Sequence, residues 1–136
     1  MITTSYYAYQ YLPLVGNLVS ISCTVNEGAI RMLKGREFRH YKKLSPPWPI
    51  VDALHKRTIT HQQYAAIYQN QILSKLDPNE VYNELGEDPI LLCYEHSKQF
   101  CHRHLAAKWL SKSLDIQIHE LDLSPTKLIM DNAWGM

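Results

Sequence analysis

Between Cys93 and His104 the chain reads CYEHSKQFCHRH, and no other stretch gathers as much reactive chemistry. It holds two thiols (Cys93, Cys101), one carboxylate (Glu95), three imidazoles (His96, His102, His104) and the guanidinium of Arg103. Four chemistries are open to such a set. Glu95 follows an apolar run by two residues, so partial desolvation would raise its pKa and suit it to general acid–base work with His96 or His102; its competing role is an ion pair with Arg36 or Arg103. Arg103 and His102, near the start of a helix, would hold an anion with the help of unpaired N–H groups. Cys101 beside His102 and Arg103 has the surroundings that lower a thiol pKa, whereas Cys93 at the end of a buried run reads as a small core residue. A metal site is disfavoured by spacing. The cysteines stand eight positions apart rather than in a knuckle, and on a helix His102 and His104 point about 200° apart. The expectation is a metal-free, reduced protein with no cofactor.

The elements that must position these groups follow from periodicity. Ile90, Leu91 and Leu92 form a continuous apolar run, as in a strand buried on both faces. Phe100, His104, Ala107 and Leu110, with Leu105 and Trp109, recur at helical spacing. Pro89–Ser113 therefore predicts a central strand, a polar elbow and a packed helix, the unit in which α/β proteins place ligands at the carboxyl end of a strand. Upstream, Ile2–Ala8 and Leu18–Val25 predict strands. Residues 26–48, with their glycines, Pro46-Pro47 and the basic cluster Arg31, Lys34, Arg36, Arg39, Lys42 and Lys43, predict a long irregular loop. Pro49–Lys56 predicts a short helix. Thr60 with Gln63 is a capping box before a longer one, and Asp77-Pro78-Asn79-Glu80 opens a helix that ends at Gly86. Asp115–Leu121 predicts a last strand and Ser124-Pro125 a terminal helix. The order predicts one α/β domain over residues 1–136, a small parallel or mixed sheet with helices on both faces.

A length of 136 residues suffices for one core, and a formal charge of +1 gives no global pull toward nucleic acid or anionic membranes. The first residues, MITTSYYAYQYLPLVG, lack the basic start and apolar core of a secretory signal, and no apolar run approaches a membrane span. Three cysteines in no scaffold pattern point to a reducing compartment, so the expected location is cytoplasmic, with no membrane partner.

ILLCYEHSKQFCHRHLAAKWL resembles the signature of the bacterial and phage family called domain of unknown function 488. There, a strand ending in a Cys-x-Glu segment is followed by Cys-His-Arg and a helix. LVSIS, LKGREFRHYKKLSP and YAAIYQNQILSKLDPNEVYNELG continue the resemblance, which spans about residues 18–121. It implies a small cytosolic α/β domain without naming an activity. It carries over to Cys93, Glu95, Cys101, His102 and Arg103, and more loosely to Lys34, Gly35, Arg36 and Glu37. Many relatives place an arginine where this chain has Cys23. If that arginine binds an anion, this chain has lost the contact or supplies it from Arg36 or Arg39.

Together these readings predict an enzyme or enzyme-like domain acting on a phosphate-bearing small molecule or nucleic acid. Glu95 and His102 are the candidate catalytic residues, and Lys34, Arg36, Cys101 and Arg103 the candidate substrate-binding ones. The alternative is a noncatalytic module that binds nucleic acid or protein through the basic 31–43 surface. Trp48, after the basic cluster, either stacks on a base or packs beneath the loop.

Overall fold

A computed structural model describes residues 1–121. In chain order the elements are β1 (Thr3–Tyr6), β2 (Asn17–Ser20), α1 (Glu27–Leu33), β3 (Arg39–His40), α2 (Trp48–His55), α3 (His61–Gln71), α4 (Pro78–Leu85), β4 (Pro89–Cys93), α5 (His102–Leu114) and β5 (His119–Glu120). The five strands make one sheet in the order β3-β2-β4-β1-β5, and every pairing is parallel. The terminal helix expected from Ser124 lies outside the described residues.

Central β4 owes its place to PILLC, in which every residue is buried. Strand alternation sends Ile90 and Leu92 to one face and Leu91 to the other. On the first face they meet Leu18, Tyr7 and the α1 residues Ala29 and Leu33. On the second, Leu91, Val19 and Ile21 pack against Ile50 of α2, Tyr64 and Tyr68 of α3, Val81 and Leu85 of α4, and Ala106 and Leu110 of α5. Helices thus cover both faces, as a parallel sheet requires.

The division of helices follows from handedness. From β2 the chain moves outward through α1 to β3, whereas from β4 it moves the opposite way through α5 to β5. Crossovers of one hand that travel in opposite directions must lie on opposite faces. Adjacent strands β2 and β4 therefore send their connections apart, and a crevice opens between their carboxyl ends, the switch point at which open α/β sheets bind ligands.

The chain between Asn26 and Trp48 is an ordered crossover rather than one long loop. Asn26 caps α1 by accepting the Ala29 N–H at 3.0 Å, and Lys34 ends it in the left-handed conformation (φ 52°). Its helix α1 is only seven residues long and is followed by a two-residue strand, too short to print a period in the sequence. Farther on, the capping box of Thr60 and Gln63 and the Asp77 cap of α4 form as expected, and Gly86 ends α4 at φ 80°. Asp115, expected in the last strand, instead caps α5 in the left-handed conformation, leaving only His119 and Glu120 to pair with β1.

Candidate active site at the switch point

The elbow after β4 and the segment after β2 wall a cavity of about 310 Å³. Ser22, Cys23, Thr24 and Asn26 line it from the β2 side, and Cys93, Glu95, Cys101 and His102 from the β4 side. Trp48, Tyr64, Tyr94 and Phe100 supply ring surfaces, and Trp48 remains 56% exposed at the edge. Tyr94 ties the two walls together, accepting the Asn26 N–H at 3.0 Å and donating to the Thr24 carbonyl at 3.1 Å. Beneath them the buried hydroxyl of Tyr7 bonds Ser20 and, at 2.6 Å, Ser22, which fixes the end of β2.

His102, at the first position of α5, is buried, and its Nε2 lies 2.5 Å from the Ile21 carbonyl. A carbonyl only accepts, so Nε2 carries the proton and donates, and Nδ1 keeps its lone pair. Nδ1 stands 3.8 Å from Cys101 Sγ. Burial pushes the His102 pKa down to about 4 against the opposing Ile21 hydrogen bond, with Arg103 and His104 adding repulsion. The imidazole is therefore neutral at physiological pH, which suits it to ligation or orientation and not to the proton cycling expected of it.

The sulfurs of Cys93 and Cys101 meet at bonding distance, although their Cα atoms stand 7.7 Å apart, wider than the span of an ordinary disulfide. The spacing argument that kept the two sulfurs apart is thereby corrected. The elbow curls back so that the N-cap of α5 meets the end of β4, a closure invisible to a spacing of eight. Cys101 is that N-cap, its sulfur accepting the Arg103 N–H at 3.5 Å. Cys23 lines the same cavity with a free thiol whose pKa burial raises.

Arg103 is not available to a substrate anion. It is fully buried, with Nε and Nη2 donating to the Glu120 carboxylate at 3.1 and 2.7 Å. Its Nη1 donates to Cys93 Sγ at 2.9 Å and to the Glu95 carbonyl at 2.7 Å, so the guanidinium braces the elbow from beneath. Burial alone would raise the Glu120 pKa, but the hydrogen bonds from Arg103 and Thr4 hold it below its ordinary value. His104, the next residue, lines a separate groove beside Glu120.

The basic segment does not join this site. Arg36 donates to the carbonyls of Pro13, Leu33 and Leu12 at 2.9–3.0 Å, clamping the loop that enters β2. It follows α1, so with exposed Lys34 it belongs to the amino end of the strands, on the face opposite α5. Arg39 donates to the Leu85 carbonyl, just before β4, so it does not replace an arginine at the Cys23 position either. Lys43 pairs with Glu84 at 2.8 Å, and Arg31 with Glu27 at 3.9 Å. Among the described residues no lysine or arginine lines the cavity. The structure thus brings Glu95, Cys101 and His102 together and leaves Lys34, Arg36 and Arg103 out.

Residues 25–114 match the family model DUF488-N3a, described as the active DUF488-N3 subclade. The chain belongs to the DUF488 family. The matched span includes the elbow residues Cys93, Glu95, Cys101, His102 and Arg103 but stops short of Glu120, the partner that neutralises Arg103. No curated protein matches the chain, and no solved structure does. No described helix is long and apolar enough to cross a membrane.

The small polar residues at the end of LVSISCTV marked a ligand edge in the sequence, and Ser22 and Thr24 do line the cavity. Sequence reasoning missed Asn26, which it placed in the irregular loop. It also missed Glu120, which nothing in DIQIHEL sets apart from Asp115.

Proposed function

We propose that this protein is an enzyme whose pocket between β2 and β4 takes a compact planar ligand, the base of a nucleoside or nucleotide. The observation that carries the reading is the lining: aromatic rings and short polar side chains surround one carboxylate, with no lysine or arginine among the described residues. Rings stack on a planar heterocycle, and Glu95, Asn26, Thr24 and Ser22 match its N–H and carbonyl edges. A cavity of about 310 Å³ is at the small end for ligand sites, which favours a base or nucleoside over a dinucleotide. Any phosphate would sit outside the mouth and contribute little affinity, unlike the anion-centred site expected from the sequence. Glu95 handles the proton. It is half-buried and lines the cavity, and its backbone carbonyl is fixed by Arg103. The basic-surface alternative is weakened, because Arg36 and Arg39 are bound to backbone carbonyls and Lys43 to Glu84.

A thermal-shift panel of bases, nucleosides, nucleoside monophosphates and inorganic phosphate tests this. Nucleosides are expected to stabilise the protein as much as their monophosphates do, while phosphate alone matches chloride at equal ionic strength. Glu95→Gln should lose turnover while keeping part of the nucleoside shift, since the rings and the other polar groups still bind. A panel in which only phosphate-bearing compounds act would overturn the reading.

A further inference from the structure

Cys93, Cys101 and His102 present three soft donor atoms, all within 4.8 Å of one another and all on buried residues. A tetrahedral zinc with bonds of about 2.1–2.3 Å holds its sulfur and nitrogen donors roughly 3.6–3.8 Å apart. The 3.8 Å between Cys101 Sγ and His102 Nδ1 already fits that spacing. The remaining features are those of a supported metal site. The Ile21 carbonyl takes the Nε2 proton, which fixes the tautomer that leaves Nδ1 free for a metal. Each sulfur accepts an N–H from Arg103, Cys93 from the side chain and Cys101 from the backbone.

Charge decides what the sulfurs need. Arg103 is already neutralised by Glu120, so two thiolates at this depth would be left uncompensated. A disulfide removes the problem by removing the charges. A divalent cation removes it by balancing them, since two thiolates and a neutral imidazole make a zinc site of zero net charge.

We propose that in the reduced protein Cys93 Sγ, Cys101 Sγ and His102 Nδ1 hold one zinc-class divalent cation, whose fourth position opens into the cavity. The bridged form is the metal-free state of the same site. A dithiol reductant supplies two electrons and two protons, giving two thiols and its own disulfide, and metal uptake then releases the two thiol protons. Three protein ligands facing a cavity is the coordination of catalytic rather than structural zinc. The fourth ligand is water, made acidic by the metal. Glu95, two residues after Cys93 on the same wall, takes the proton as the water oxygen bonds to an electrophilic ligand carbon, and returns it to the leaving group. This deepens the proposed function and rests on the same pocket: the reaction class becomes a metal-assisted hydrolysis.

The test needs no organic ligand. The full chain is reduced with a phosphine, which does not chelate zinc strongly, and titrated anaerobically with Co²⁺. The expected result is one equivalent bound, with the visible bands of tetrahedral cobalt and a thiolate-to-metal charge-transfer band, both displaced by Zn²⁺. Cys101→Ser should abolish the bands, whereas Cys23→Ser and Glu95→Gln should retain them. Should Cys101→Ser fail to fold, the bridged wild type is the second measure: it should bind no cobalt and regain the bands on reduction. A reduced, folded wild type that shows only the weak spectrum of octahedral cobalt overturns the proposal. So does loss of the bands in Cys23→Ser with their survival in Cys101→Ser. Nucleoside stabilisation that persists in such a metal-incompetent protein would sink the metal and leave the pocket reading standing. A cobalt site without any nucleoside shift would do the reverse.

Discussion

Replacing Glu120 with glutamine keeps the shape of the side chain and removes the charge that balances Arg103. The side chain of Arg103 is 0% exposed and that of Glu120 16% exposed. The carboxylate accepts from Nε and Nη2 and from the hydroxyl of Thr4. Breaking one side of a buried pair costs about 3–5 kcal/mol, because the surviving charge stays desolvated. Glu120 keeps some contact with water and glutamine still offers one oxygen, so the lower end, about 3 kcal/mol, is expected. Against a total stability on the order of 5–15 kcal/mol that is a large loss. Urea denaturation should show it as a lower midpoint at unchanged slope. Arg103→Met combined with Glu120→Gln should cost less than Glu120→Gln alone, because no bare charge is then left inside. A loss under about 1 kcal/mol in the single variant, the size typical of exposed pairs, would refute the claim that this pair is buried and braces the elbow.

Two further outcomes follow from the same physics. The folded pKa of His102, about 4, lies below its ordinary 6.5, so the unfolded chain binds the extra proton first as pH falls. Stability of the bridged protein should therefore be full above about pH 6.5 and fall through the window down to about 4, by on the order of 3 kcal/mol from this group. Glu120, with its lowered pKa, adds loss in the same direction at the acid end. A flat urea midpoint between pH 7 and 4.5 would contradict a buried neutral His102. Thr60→Ala removes the acceptor of the Gln63 N–H at the start of α3 and should cost about 1 kcal/mol without changing nucleoside binding; a change in binding at equal stability would show that α3 does more than support the pocket.

What could be read in the sequence was what short-range chemistry determines. The apolar run Ile90–Leu92 gave the buried strand, and Thr60 with Gln63 and Asp77 with Pro78 gave two helix starts, because caps and periods are local. The elbow stood out on residue types alone, and its residues line the cavity. Strand order was not, and everything decisive about the site depends on it. Placing β1 between β4 and β5 puts Glu120 within reach of the first turn of α5, and that contact turns Arg103 from an expected anion ligand into an internal brace. The basic cluster failed for a similar reason. The crossover through α1 carries Arg36 to the amino end of the strands, so residues near the switch point in sequence lie at the other end in space. Cys93 and Cys101 looked unpaired because spacing arguments assume the chain between two ligands stays extended or helical, and here it doubles back.

Amide chemical-shift mapping of the labelled protein with a nucleoside is the most direct test of where the molecule works. The account predicts saturable shifts at residues 22–26, beside Trp48, and at 93–95 and 100–102, with residues 31–43 unmoved. Shifts confined to residues 31–43, with the elbow and the end of β2 silent, would contradict it.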